Sequence, residues 1–177
     1  MGSSTVNSLL IELAAVVGSS LKQMQWMIST AESCTGGLVA TALTETSGSS
    51  LYFDRGFVSY SNLAKQQMLG VPEKILHMYG AVSEQTARAM AQGALRHSNA
   101  QISLAITGIA GPGGGSIEKP VGTVCFGWAL EQADGSEHRL EETLQFKGNR
   151  HAVREAAVEH ALRGVLKLLS NHSHSLK

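Results

Sequence analysis

The sequence predicts an α/β fold, a three-layer α/β/α sandwich around a mixed β-sheet, as a single domain over residues 1–177. Three observations carry this. Stretches with helical periodicity alternate with short apolar stretches of strand length along most of the chain. Asp134-Gly135, set between two alternating stretches, signals a β-hairpin, so antiparallel pairing joins the parallel pairing that interleaved helices favour. Hydrophobic residues make up 43% and charged residues 16% of the 177, enough apolar side chain for a sizeable core.

Each element has its own signal. Over residues 5–24, Val6, Leu9, Leu10, Leu13, Val16, Val17 and Leu21 recur at helical spacing. A strand follows over 26–32, then the turn Ser-Cys-Thr-Gly-Gly at 33–37 and a helix to 46. Residues 47–50, Ser-Gly-Ser-Ser, read as loop, and 53–60 as a strand with Gly56 at its centre. Ser61 caps a short helix over 62–69, which Gly70 stops. Pro72 stands in the first turn of another, ending near Gly80, and Ser83 caps a third over 84–97. Residues 101–107 form an apolar strand. Residues 108–119 hold five glycines and Pro112 and are irregular. Strands at 121–130 and 137–146 flank the hairpin turn, and Asn149 caps a last helix over 150–169. The core spans 8–168, and the polar tail 170–177 is expected to fray.

Composition excludes several classes. Formal net charge is zero and no Lys/Arg cluster exists to neutralise phosphates, so a nucleic-acid footprint is absent. Aromatics, at 5%, offer no stacking platform. No apolar run reaches bilayer-spanning length, and no secretory signal opens the chain. Cys34 and Cys125 form no CxxC pattern, and a reducing cytoplasm is the simplest setting. The seven histidines form no HExxH or closely spaced ligand set, so no metal or other cofactor is expected.

Three stretches can carry chemistry. The strand–turn–helix at 29–37 aims backbone N–H groups and the Ser33, Cys34 and Thr35 side chains at one point; it reads as a nucleophile or anion site, or as a plain βα turn with capping hydroxyls. The glycine-rich loop lacks P-loop spacing but can form a nest of N–H groups for a phosphate or an oxyanion, or be an ordinary wide turn. Lys119, just before Pro120, either anchors that loop, reaches a ligand anion or faces solvent. In Tyr60-Ser-Asn-x-x-Lys65, a lysine in a dry pocket can serve as base to a serine, or both residues can be surface features. Arg150 and Arg154, one turn apart, clamp a phosphate or are solvated.

Taken together, these stretches resemble the CinA C-terminal domain family. The resemblance rests on five ordered blocks: 30–37 (TAESCTGG), 55–62 (RGFVSYSN) with Lys65, 80–84 (GAVSE), 107–112 (TGIAGP) and 119–124 (KPVGTV). It runs over residues 8–168. It implies an α/β/α enzyme that hydrolyses the carboxamide of nicotinamide mononucleotide to nicotinate mononucleotide and ammonia, without a metal, as a homo-oligomer, a dimer or larger. It further implies Ser33 as nucleophile, Lys65 as its base and Tyr60 in support, with Ser49 or Ser50 as a further hydroxyl. The amides of Cys34 and Thr35, or of Thr107 and Gly108, then form the oxyanion hole, and the glycine loop (Gly111) and Arg150 hold the substrate. Asn149 stands where the family commonly has Asp. A non-catalytic nucleotide-binding or protein-interaction module of the same type is the alternative.

Overall fold

A computed structural model describes residues 7–132 and 134–175. In chain order the elements are α1 (Ser8–Met24), β1 (Ile28–Glu32), α2 (Leu38–Thr44), β2 (Phe53–Val58), α3 (Asn62–Leu69) and α4 (Glu73–Tyr79). They continue with α5 (Glu84–Arg96), β3 (Ile102–Gly108), β4 (Thr123–Glu131), β5 (Glu137–Gln145) and α6 (Arg150–Ser175). The strands form one sheet in the order β2-β1-β3-β4-β5. β1 pairs parallel with β2 and β3, while β4 runs antiparallel to both β3 and β5. The predicted mixed sheet is therefore present, with the hairpin supplying its antiparallel side.

The helices start where short polar side chains can replace missing backbone acceptors. Asn7 accepts from the Leu9 N–H (3.0 Å), Ser61 from Ala64 (3.0 Å), Ser83 from Thr86 (3.2 Å) and Asn149 from Ala152 (3.0 Å).

Strand alternation separates the two faces. Ile102, Leu104, Ile106, Phe126 and Trp128 point to one side and form a core with α1, α2 and α6. Ala31, Ala105 and Ala129 point to the other and meet α3, α4 and α5. The second face is built of small residues, so α5 lies almost on the backbone of the sheet. Ser103 Oγ donates to the Ala91 carbonyl of α5 (2.7 Å), and a Cβ at Gly127 would press into the Ala87 carbonyl. Gly127→Ala should therefore lower unfolding free energy by about 1–3 kcal/mol in chemical denaturation. Wild-type stability in that variant would contradict the close approach.

Several boundaries differ from the sequence reading: β1 begins at Ile28 where 26 is expected, and α2 ends at Thr44 where 46 is expected. β2 ends at Val58; the Ser59 N–H still pairs with the Glu32 carbonyl of β1 (2.9 Å), and the carbonyls of Ser59 and Tyr60 turn inward. Residues 47–50 are not wholly loop, because Ser49–Leu51 wind into a 3-10 turn. β4 begins two residues later than expected, at Thr123. The tail does not fray at 170, since α6 continues to Ser175. Packing explains the last: Leu168 and Leu169 are buried, and His172 lies 4.9 Å from Trp26 between ring centroids. Thr5 and Val6 of the first predicted helix lie outside the described residues, as do residues 176–177 of the tail.

Candidate active site

β2, β1 and β3 lie side by side with their C-terminal ends aligned, Glu32 opposite both Val58 and Ile106. Parallel sheets expose this edge to ligands, because the chain departs from each strand there. The three departures build one cleft.

After β1, the Ser33 N–H still donates to the Ile106 carbonyl (2.9 Å), which fixes Ser33 at the strand end. Gly36 (φ 60°) and Gly37 (φ 94°) then take left-handed conformations that turn the chain into α2. The Glu32 carboxylate accepts from the N–H groups of Gly37 (3.1 Å), Val39 (3.0 Å) and Ala40 (2.9 Å). It sits at the positive end of α2, where negative charge is favoured. Glu32 is thus engaged with α2, and among the described residues it forms no ion pair with Lys65.

After β2, the Ser61 cap places Lys65 in the first turns of α3, four residues before Leu69 on the same buried face. Lys65 is 1% exposed and Ser33 8%. Lys65 Nζ lies 2.9 Å from Ser33 Oγ, 2.9 Å from the Ser59 carbonyl and 3.3 Å from the Tyr60 carbonyl. Burial pulls the Lys65 ammonium below its ordinary pKa, opposed in part by the Cys34 thiol. In the neutral amine, two N–H bonds serve the two carbonyls and the lone pair faces the serine hydroxyl. Such a pair can take a proton from Ser33 as its oxygen attacks an electrophile.

Cys34 neighbours Ser33, but burial pushes its thiol up to about 11. It stays protonated near neutral pH and lacks the thiolate that a nucleophilic cysteine needs. Tyr60, 60% exposed, forms the rim, with its hydroxyl accepting from Arg150 Nη2 (3.0 Å). Arg150 Nη1 donates to the Gly111 carbonyl (2.9 Å), tying the start of α6 to the glycine loop. From β3, Thr107 Oγ1 donates to the Ala81 carbonyl (2.7 Å). The Ile109 N–H pairs with the Thr123 carbonyl toward β4, so strand alternation turns the Gly108 N–H the other way, toward the end of β1.

The cleft measures about 270 Å³ and brings together Ser33, Cys34, Tyr60, Lys65, Thr107, Gly108, Gly111 and Arg150. Three expected residues stand apart. Thr35 is buried behind the turn, its carbonyl held by Arg154 Nη2 (2.8 Å), and does not line the cleft. Arg154 therefore anchors the turn and does not pair with Arg150 on a ligand. Ser49 and Ser50 precede β2, next to Tyr52, whose carbonyl accepts from the Ile28 N–H at the start of β1. They lie at the opposite end of the sheet from Ser33. The sequence reading left Ala81 and Val82 without a role, yet both line the cleft. The only sign of them was the 80–84 block of the family resemblance.

A groove of about 430 Å³ between β5 and α6, beside Trp128 and His160, is larger. It brings no nucleophile next to a base, so size does not mark the site. Among the described residues, no group of three or more His, Cys, Asp or Glu side chains is placed to hold a metal ion, and no helix is long and apolar enough to cross a membrane.

Residues 10–169 match the family model described as the CinA C-terminal domain. The chain is 50% identical over 157 residues to a nicotinamide-nucleotide amidohydrolase PncC of Enterobacter agglomerans, covering 88% of this chain and 93% of that protein. It is 49% identical over 156 residues to the protein of the same name from Escherichia coli K12, covering 88% and 92%. A CinA-like protein of Syntrophobacter fumaroxidans is 49% identical over 161 residues, but the match spans only 37% of that longer chain. Among solved structures, the competence/damage inducible protein CihA of Agrobacterium tumefaciens superposes with a TM-score of 0.86 at 46% identity, covering 94% of this chain and 99% of that one.

Proposed function

The chain belongs to the CinA C-terminal domain family, and on that premise we propose that it is a nicotinamide-nucleotide amidohydrolase acting through Ser33 and Lys65. The substrate class rests on the name carried by relatives of matching length, at 49–50% identity. The mechanism rests chiefly on one observation, the buried Lys65 amine 2.9 Å from Ser33 Oγ.

In this reading the neutral Lys65 takes the Ser33 proton while Ser33 Oγ attacks the carboxamide carbon of nicotinamide mononucleotide. The Gly108 N–H receives the developing oxyanion, joined by the Cys34 N–H at the turn. The protonated Lys65 then gives its proton to the departing nitrogen, and ammonia leaves. Water attacks the acyl-enzyme, Lys65 again removing a proton, and nicotinate mononucleotide is released. Tyr60, oriented by Arg150, walls the open side of the cleft. The same reading makes the protein a cytoplasmic homo-oligomer in pyridine nucleotide salvage. Two free cysteines fit a reducing compartment, and exposed Val58, Tyr60 and Leu63 beside the cleft give a partner subunit apolar surface.

Purified protein should release ammonia and nicotinate mononucleotide in equal amounts from nicotinamide mononucleotide. No turnover of this substrate would refute the reading.

Arg150 brings a permanent positive charge to the cleft, and its guanidinium has donors beyond the two it gives to Tyr60 and Gly111. The mononucleotide should accordingly be used in strong preference to nicotinamide riboside. Arg150→Ala should cut kcat/KM for the mononucleotide about 10- to 100-fold, mainly through KM, with a smaller loss for the riboside. Equal use of the two substrates by wild type would refute phosphate recognition. An unchanged preference in the variant would clear Arg150 of that task.

A further inference from the structure

We propose that Lys119 is a positioning residue for this reaction, clamping the segment between α4 and α5 to the glycine-rich loop so that the cleft wall formed by Ala81 and Val82 keeps its shape; the inference rests on the amidohydrolase reading of the site.

Lys119 is fixed at its backbone. Its N–H donates to Ser116 Oγ (3.0 Å), its carbonyl accepts from the Ser116 N–H (2.9 Å), and Pro120 follows. From this base the side chain crosses to the other segment, where Nζ donates to the carbonyls of Val82 (2.6 Å) and Tyr79 (3.0 Å). Tyr79 ends α4, so the ammonium also meets the negative end of that helix. Among the described residues neither carbonyl has a backbone partner, and a charged donor compensates both at once.

The two remaining carbonyls of the segment are held as well. Gly80 accepts from Thr86 Oγ1 (2.7 Å) and Ala81 from Thr107 Oγ1 (2.7 Å). All four carbonyls from 79 to 82 thus face protein donors. The N–H groups of Ala81 and Val82 donate to no group among the described residues, and both residues line the cleft. They are donors open to the part of the substrate that mononucleotide and riboside share. The glycine loop is pinned on its other side by Arg150 at Gly111. Gly113 and Gly114, which line the cleft, hang between these two cationic anchors. Lys119 itself does not line the cleft, which separates its task from that of Arg150.

The test compares wild type with Lys119→Met and Lys119→Arg. Amide hydrogen exchange without substrate should be about tenfold or more faster around residues 80–83 and 113–116 in Lys119→Met, and mostly restored in Lys119→Arg, which keeps charge and several donors. KM should rise by the same factor for mononucleotide and riboside, with kcat within about twofold of wild type, because no bond of the Ser33–Lys65 pair runs through the clamp. Exchange identical to wild type in Lys119→Met would overturn the clamp. A loss confined to the mononucleotide would also overturn it, making Lys119 a phosphate ligand. Exchange is read without turnover, so an inactive wild type would refute the amidohydrolase reading while leaving the clamp to be decided by exchange alone.

Discussion

Ser33→Ala should abolish ammonia release from nicotinamide mononucleotide, with a fall in kcat of at least about 10³-fold, while the fold is kept. Among the described residues the hydroxyl makes a single hydrogen bond, with Lys65 Nζ. The substitution keeps the backbone bond to Ile106 that holds residue 33 at the strand end. The loss therefore falls on the covalent step. Binding should survive, since Arg150, the Gly108 amide and the loop remain, and the variant should still retain mononucleotide in a direct binding measurement. Near-wild-type turnover would eliminate Ser33 as nucleophile. Cys34 offers no substitute, its thiol being held neutral by burial.

Lys65→Met should cost as much activity as Ser33→Ala, and Lys65→Arg should not rescue it, because a guanidinium stays charged and cannot accept the serine proton. In wild type, kcat/KM should rise with pH as Lys65 loses its proton through its lowered pKa. Stability should carry the same signature. The unfolded chain holds the Lys65 proton up to its ordinary value of 10.5, whereas the folded protein releases it at lower pH. Between those two values the unfolded state binds more protons, so stability rises with pH across that window. Below the folded value both states are protonated, and burying the charge opposes folding. Lys65→Met should remove this rise, which urea denaturation at a series of pH values would detect. A fully active Lys65→Arg enzyme, or a Met variant with the wild-type pH slope, would contradict the assignment.

Much of this was legible in the sequence because local signals and tertiary needs agree. Ser61, Ser83 and Asn149 are capping residues directly before periodic segments, and all three cap. The Ser-x-x-x-Lys stretch from 61 to 65 placed the lysine in the first turns of a helix. Its complete burial was not legible, because that depends on Ser33 and the Ser59 and Tyr60 carbonyls arriving from distant parts of the chain. The misplacement of Ser49 and Ser50 has a topological cause. In parallel β-α-β units the turns after strands share one end of the sheet, and loops returning from helices lie at the other. Residues 49–50 belong to a returning loop, so within this chain they cannot meet Ser33. Helical spacing leaves Arg154 either clamping a phosphate with Arg150 or solvated; in the structure its guanidinium turns back to the carbonyl of Thr35. Ala81 and Val82 carry no chemistry in their side chains. Their place in the cleft follows from backbone groups, which residue type does not report.

Intact-mass and peptide analysis of enzyme quenched in acid during the first turnover tests the central claim most directly. Nicotinamide mononucleotide should leave a transient adduct equal to the substrate less ammonia, on the peptide that holds Ser33 and on that residue, and the adduct should be missing from Ser33→Ala. Turnover with the adduct on Cys34, or with no adduct on any residue, would contradict it.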